Sequence, residues 1–251
     1  MEIIPFKTKH QLNSNMIIGI SPFLDEEEVV RGWYANIETF CDVVLALVDP
    51  RCTDRTIPIL EEIASKNPKL EILYQDIEFG DSTRSTKGRL GYITYLVEIN
   101  RLLADTIPRN AWVVWVSADE RLDASRKENI MSYLDQAQAL GFDSVVFNLI
   151  DVYPDESYYI NYDKAGLLLT HRKIFKNVPN LTWGMTAHTG VNGLINPLRI
   201  PENFYHFGFV KHTKQECWWR AVDGLHWLDK IPEDQRYLPI QLPFKDWRNE
   251  Q

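Results

Sequence analysis

The stretch AWVVWVSADER, residues 111–121, decides how the chain is read. Residues 112–116, WVVWV, have the apolar character of a buried strand, yet the run stops on two adjacent carboxylates, Asp119 and Glu120. Strands end at surfaces, where acids are common. A strand can also deliver an acid to a cleft where something positive has to be held, and the rest of the chain must choose between these explanations.

Working outward toward the N-terminus, three more apolar runs alternate with helical patterns. NMIIGIS (15–21), DVVLALVD (42–49) and LEILYQD (70–76) are expected as strands, the second apolar enough to be covered on both faces. Between them, residues 24–40 carry Val29 or Val30, Trp33, Ile37 and Phe40 at helical spacing, with Asp25 and Glu28 placed as a capping box. A second helix is expected around Ile59, Leu60 and Ile63, and a third over 91–106. Beyond Asp119, Ser125 and Glu128 form another capping-box pattern, opening a helix with Ile130, Leu134 and Ala137 inward and Gly141 at its end. FDSVVFNLID (142–151) is the fifth expected strand.

Strand and helix in steady alternation imply right-handed crossovers, and hence an α/β fold with a parallel sheet between helical layers. Ligands bind such sheets at the carboxyl ends of their strands. Asp49, Asp76 and Asp119 are each expected at such an end. One strand-end aspartate is an ordinary turn former. Three on one edge make a pattern, because one carboxylate can accept from a nucleobase or ribose while another ligates a hard cation bridging a diphosphate.

Composition narrows the possibilities. The 251 residues, 45% hydrophobic and 12% aromatic, suffice for a sizeable core. A net charge of −8 argues against non-specific nucleic-acid binding, so no nucleic-acid partner is expected. No run approaches the roughly 20 apolar residues of a transmembrane helix, and the first residues lack signal-peptide features, so a cytoplasmic location is expected. Cys41, Cys52 and Cys217 form neither a metal motif nor a disulfide framework. After Asp151 the regularity is lost: DVYPDESYYINYDKAG (151–166) reads as a loop or irregular hairpin, and residues 213–229 as a terminal helix with Trp218, Val222, Leu225 and Leu228 on one stripe.

Several segments resemble, in order, the motifs of family 2 glycosyltransferases. SPFLDEE (21–27) is similar to the family's Pro-x-Tyr-Asn-Glu-Glu, matching at Pro22, Asp25 and Glu26, with Leu24 at the aromatic position. VDPRCTDRT (48–56) is similar to Val-Asp-x-Gly-Ser-Thr-Asp-Gly-Thr at Val48, Asp49, Thr53, Asp54 and Thr56. WVSADERLD (115–123) resembles the Leu-Asp-Ala-Asp-Glu segment. KIFKNVPNLTWGMTAHTG (173–190) and FYHFGFVKH (204–212) resemble the two later segments, and the matches span about residues 16–212.

The resemblance implies a GT-A, Rossmann-like fold over residues 1–251 with a mixed, mostly parallel sheet between helical layers. It divides into a nucleotide-sugar half (1–150), an acceptor-side half (151–212) and a helical tail (213–251). It implies transfer of a sugar, from a UDP-sugar on family grounds, to a carbohydrate, lipid-linked or protein acceptor, with inversion and with Mn²⁺ or Mg²⁺. Carried over by position, Pro22, Phe23, Glu26, Asp49 and Asp76 would line the nucleoside pocket, Asp119 and His206 would hold the metal, and Ser117 and Ala118 would border the donor. Arg84 and Arg89, with Lys87, or else Arg101, would meet the diphosphate, and Tyr153, Tyr158, Tyr159 and Tyr162 offer faces for a sugar. Asp151 and His188 are the two candidate bases.

Two departures stand out. Ser117 replaces the first acid of the family's Asp-x-Asp, and Thr189 replaces the Glu after His188. They keep open a non-catalytic sugar- or nucleotide-binding protein on a decayed transferase fold. A nucleotidyltransferase is the third possibility, disfavoured because SPFLDEEE is acidic where a Gly-rich basic phosphate loop is expected.

Overall fold

The computed structural model describes residues 8–74, 99–152, 156–160, 170–183, 191–208, 232–244 and 248. The elements in chain order are β1 (Ile17–Phe23), α1 (Val30–Ile37), β2 (Val43–Val48), α2 (Thr56–Lys66), β3 (Leu70–Tyr74), β4 (Trp112–Trp115), β5 (Glu120–Leu122), α3 (Lys127–Leu140), β6 (Ser144–Asp151), β7 (Tyr158–Ile160), β8 (Thr170–Lys176), β9 (Thr182–Trp183), β10 (Val191–Asn192), β11 (Pro197–His206) and β12 (Tyr237–Pro239).

Eight of these strands form one sheet in the order β3-β2-β1-β4-β8-β6-β11-β5. Only β8 and β5 run against the rest, so the sheet is the mixed, mostly parallel, Rossmann-like one expected. Two small antiparallel pairs, β9 with β10 and β7 with β12, lie outside it. The second gives part of the irregular 151–166 region a strand and a distant partner.

Alternation along β2 shows why both faces are covered. Val44, Ala46 and Val48 join the cluster made with α1, α2 and α3, through Trp33, Ile37, Leu60, Ile63, Ile130 and Leu134. Val43, Leu45 and Leu47 face the opposite way, onto Ile99, Leu102, Leu103 and Ile107. That second layer ends in a π-helical turn, Leu102–Thr106, whose carbonyls are gathered by the buried Asn177 amide, donating to Leu103 O at 2.8 Å and Ile107 O at 2.7 Å. Each fully buried large apolar side chain here contributes about 1.5–3 kcal/mol relative to an exposed one. α1 lies close enough to β1 that a Cβ on Gly19 would stand 2.9 Å from Ile37 Cδ1.

Three local expectations are corrected. Asp25 does not cap α1, which starts at Val30; its φ is +55° and its carboxylate accepts Thr53 N at 2.5 Å. In return Asp54 accepts Glu27 N at 2.9 Å and Thr56 Oγ1 accepts Glu26 N at 2.6 Å, so the loops after β1 and β2 cap each other. The cap before α3 is Asp123, not Ser125: its carboxylate accepts Ser125 N at 3.0 Å and opens a 3₁₀ turn, Ala124–Arg126, that leads into the helix. The strand in AWVVWVSAD ends at Trp115, because the Val116 carbonyl turns to accept Trp33 Nε1 at 3.1 Å. The expected helix over 213–229 and the start of the one over 91–106 lie outside the described residues.

Candidate active site at the carboxyl edge of the sheet

β6 and β11 run parallel and end in register on Asp151 and His206, while β5 starts antiparallel beside them with Glu120 opposite His206. Residues far apart in the chain therefore meet where two strands stop and a third begins. His206 Nδ1 stands 2.5 Å from Asp151 Oδ1, and Nε2 stands 3.7 Å from Asp119 Oδ2. Asp119 is fixed through its own carbonyl, which accepts Phe207 N at 2.8 Å. Gly208 lies over the pair: a Cβ there would come within 2.5 Å of His206 Nε2 and 3.1 Å of Asp119 Oδ2.

Burial of the His206 ring disfavours its charge. The adjacent Asp151 charge and its hydrogen bond, with the negative Asp119 close by, outweigh burial and raise its pKa well above the ordinary histidine value. His171, on β8, goes the other way. Burial first, then the Lys173 charge, lower it to about 4, so it is neutral at pH 7.

Two ligands of one hard cation at about 2.1 Å stand roughly 3–4 Å apart, depending on the angle between them. The 3.7 Å between Asp119 Oδ2 and His206 Nε2 falls in that span, and an oxygen–nitrogen pair suits a divalent ion. Asp151 on the far ring nitrogen stands where the outer carboxylate of a metal-ligating histidine would, and a cation would have to displace the proton that the raised pKa keeps on the ring. The residues present therefore fit the metal. A second group, Asp25, Cys52 and Asp54, also has ligand atoms within 4.8 Å of one another. Its carboxylates already accept backbone N–H groups, and burial pushes the Cys52 thiol up to about 11, which opposes thiolate ligation.

Asp49 stands at the end of β2 on the same edge; the strand order puts β1 between β2 and β4, which leads into the turn carrying Asp119, and sets β11, with His206, three strands beyond β4. Its carboxylate is held by Arg51, Nε at 2.9 Å and Nη2 at 2.6 Å. The Phe23 ring belongs to the core, packed edge-on against Trp33 at 4.7 Å. What it presents toward Asp49 is backbone: Phe23 O accepts Asp49 N at 3.0 Å. Pro22 is half-buried in register with Leu47, and Glu26 is half-buried in the interlocked loops. Ser117 N donates to Glu120 Oε2 at 2.9 Å, and Ala118 is buried with its carbonyl accepting from Arg121. Asp151, a candidate base, is 4% exposed and committed to His206. Asp76, Arg84, Lys87, Arg89, Tyr153, Tyr162, His188 and Thr189 lie outside the described residues. Tyr158 and Tyr159 lie on β7.

The sequence reading missed Arg51, Arg121, His171, Lys173 and Gly208. Arg51 carried a faint signal, since an arginine two residues after a strand-end aspartate can fold back on it. Nothing in THRKIFK (170–176) separates a buried Lys173 from its exposed-looking neighbours.

Neither a protein-family model nor a curated protein sequence matches the chain. Among solved structures it is similar to a protein described as a nucleotide-diphospho-sugar transferase from Desulfovibrio desulfuricans, with a TM-score of 0.39, 9% identity, and coverage of 85% of this chain and 94% of the other. It is also similar to glucosyl-3-phosphoglycerate synthase from Mycobacterium tuberculosis, solved with Mn²⁺, UDP and glucosyl-3-phosphoglycerate, with a TM-score of 0.33, 14% identity, and coverage of 61% and 53%. A third is a protein described as a glucose-1-phosphate thymidylyltransferase from Bacillus anthracis, with a TM-score of 0.37, 8% identity, and coverage of 82% and 95%.

Proposed function

We propose that the chain is a nucleotide-sugar-dependent glycosyltransferase whose donor diphosphate is held against a divalent cation at Asp119 and His206. The observation that carries this reading is the Asp119–His206–Asp151 alignment at the carboxyl edge, 3.7 Å and 2.5 Å between successive groups. Such an alignment is the make-up of a metal ligand pair with an outer carboxylate. Asp49, at the end of β2 on the same edge of the sheet, would meet the nucleoside.

Each side chain then has a task. Asp119 and His206 would hold Mn²⁺ or Mg²⁺, which supplies charge neutralisation for the leaving diphosphate. Asp151 orients the His206 ring and, being committed to it, leaves His188 as the remaining candidate for removing the acceptor proton. A base on the face opposite the diphosphate gives inversion at the anomeric carbon. The UDP preference and the acceptor class remain as the resemblance implies them.

Calorimetry with UDP, with and without Mn²⁺, tests the reading. UDP is expected to bind at least about tenfold tighter with the metal, and Asp119→Ala to remove that gain. Equal affinity in both conditions, unchanged in the variant, rejects it.

A second reading, a binding protein on a decayed transferase fold, is favoured by Arg51 closing over Asp49 and by Asp151 being engaged. Release of free UDP from a panel of UDP-sugars separates the two readings. Turnover supports the enzyme; UDP binding with no turnover supports the binding protein.

A further inference from the structure

The turn at 117–120 that carries Asp119 is gripped from beneath by buried charges that the proposed chemistry does not use. Arg121 is 0% exposed, although a guanidinium keeps its charge in any protein environment. Its Nη1 donates to Ala118 O and to Glu120 O, both at 2.7 Å, and its Nη2 donates to Val29 O at 3.0 Å. Glu120 grips the other side of the turn, accepting Ser117 N at 2.9 Å and Lys173 Nζ at 2.5 Å. Two backbone bonds complete the frame: Glu120 N to Ser117 O at 3.0 Å and Phe207 N to Asp119 O at 2.8 Å.

Burying an ion costs several kcal/mol, and carbonyls in a surface turn can be satisfied by water alone. The position of Val29 suggests what the burial accomplishes. Val29 stands at the start of α1, at the end of the loop that carries Glu26 and Glu28. One guanidinium therefore ties the loop after β1 to the turn after β4, the segments assigned above to the nucleoside and to the metal.

We infer that Arg121 is a positioning residue that fixes Asp119 relative to the β1–α1 loop, so that a cation on Asp119 meets the diphosphate of a nucleotide held at that loop. The inference rests on the metal reading above. Lysine cannot replace Arg121, because one ammonium on a flexible stem cannot reach carbonyls on diverging sides, whereas a planar fork can. Glu120 and Lys173 form the other half of the brace.

The test uses the full chain, wild type, Arg121→Lys and Glu120→Gln, with Mn²⁺ and UDP as probes. Hydrogen exchange reads the brace, and calorimetry reads the factor by which Mn²⁺ tightens UDP binding. In Arg121→Lys, exchange at 117–120 is expected to speed up while β2 keeps its protection. The Mn²⁺-dependent gain is expected to drop by about tenfold or more, with metal-free UDP affinity unchanged. Glu120→Gln, which keeps an acceptor for Ser117 N but loses the charge facing Lys173, is expected to move both readouts the same way by less. It carries the test if Arg121→Lys does not fold.

Unchanged exchange at the turn overturns the brace. A loosened turn with the Mn²⁺ gain intact, or an equal loss of metal-free and metal-assisted affinity, overturns the positioning role. If the wild type shows no Mn²⁺ gain, the metal assignment itself fails and the positioning role falls with it, an outcome told apart because it appears before any substitution is made.

Discussion

His206 Nδ1 lies 2.5 Å from Asp151 Oδ1, at the last register pair of β6 and β11, while the opposite ring nitrogen faces Asp119. Asp151, a candidate base, is thus placed to orient an imidazole. Asp151→Asn keeps the shape and removes the charge. Mn²⁺ affinity is expected to fall by about 10–100-fold, with turnover at saturating metal nearly retained. A loss of turnover of about 10²–10⁴-fold with metal affinity intact would instead identify Asp151 as the base. Titration of Mn²⁺ followed by electron paramagnetic resonance, beside a turnover assay, reads both.

The two neighbouring histidines make opposite contributions to stability against pH. His206 is raised in the fold, its partners overcoming burial, so its stabilisation is complete below the unfolded value of about 6.5 and disappears as pH climbs through its higher folded value. His171 is lowered by burial and by Lys173 to about 4, so stability falls as pH drops from about 6.5 toward 4, by up to about 3 kcal/mol. Urea unfolding of the metal-free chain across this range is expected to show a weaker alkaline decline in His206→Gln and a weaker acid decline in His171→Gln. Parallel curves for wild type and both variants would remove the histidines from the account.

Gly208 is required by proximity rather than by backbone angle. A methyl group there would sit 2.5 Å from His206 Nε2, closer than real Cβ atoms come to any neighbour, so the ring must swing and give up Asp151. Gly208→Ala is expected to lower Mn²⁺ affinity by about tenfold or more. Native affinity, measured by the same titration, would mean that the ring or the chain moves aside at no cost to the site.

Arg51 covers the carboxylate assigned to the nucleoside. A base N–H and a guanidinium compete for the same Asp49 oxygens, so Arg51→Met is expected to strengthen UDP binding several-fold, and Asp49→Asn to weaken it by about tenfold, the worth of a charge-assisted hydrogen bond. Calorimetry decides. Weaker binding in Arg51→Met would show that the guanidinium itself touches the ligand.

The regular half of the molecule was legible because its signals are local. Apolar runs such as VVLALV are dictated by which faces water must not reach, and the spacing of Val30, Trp33 and Ile37 puts a helix on one of those faces whatever its neighbours are. The helix starts were misread for the same reason: Asp25 and Ser125 follow the capping pattern, but Asp25 serves a backbone amide 28 residues away.

The sequence by itself determined that strands alternate with helices and that Asp49 and Asp151 stand at strand ends, because periodicity and chain punctuation act over a few residues. Only the tertiary structure decided which acids meet. Asp119, Asp151 and His206 converge because β11 is inserted between β6 and β5, a pairing of segments more than fifty residues apart. Likewise the burial of Arg121 and Lys173 follows from what packs over them, since a charged side chain carries no mark in the sequence that tells whether its partner is water or a distant carbonyl.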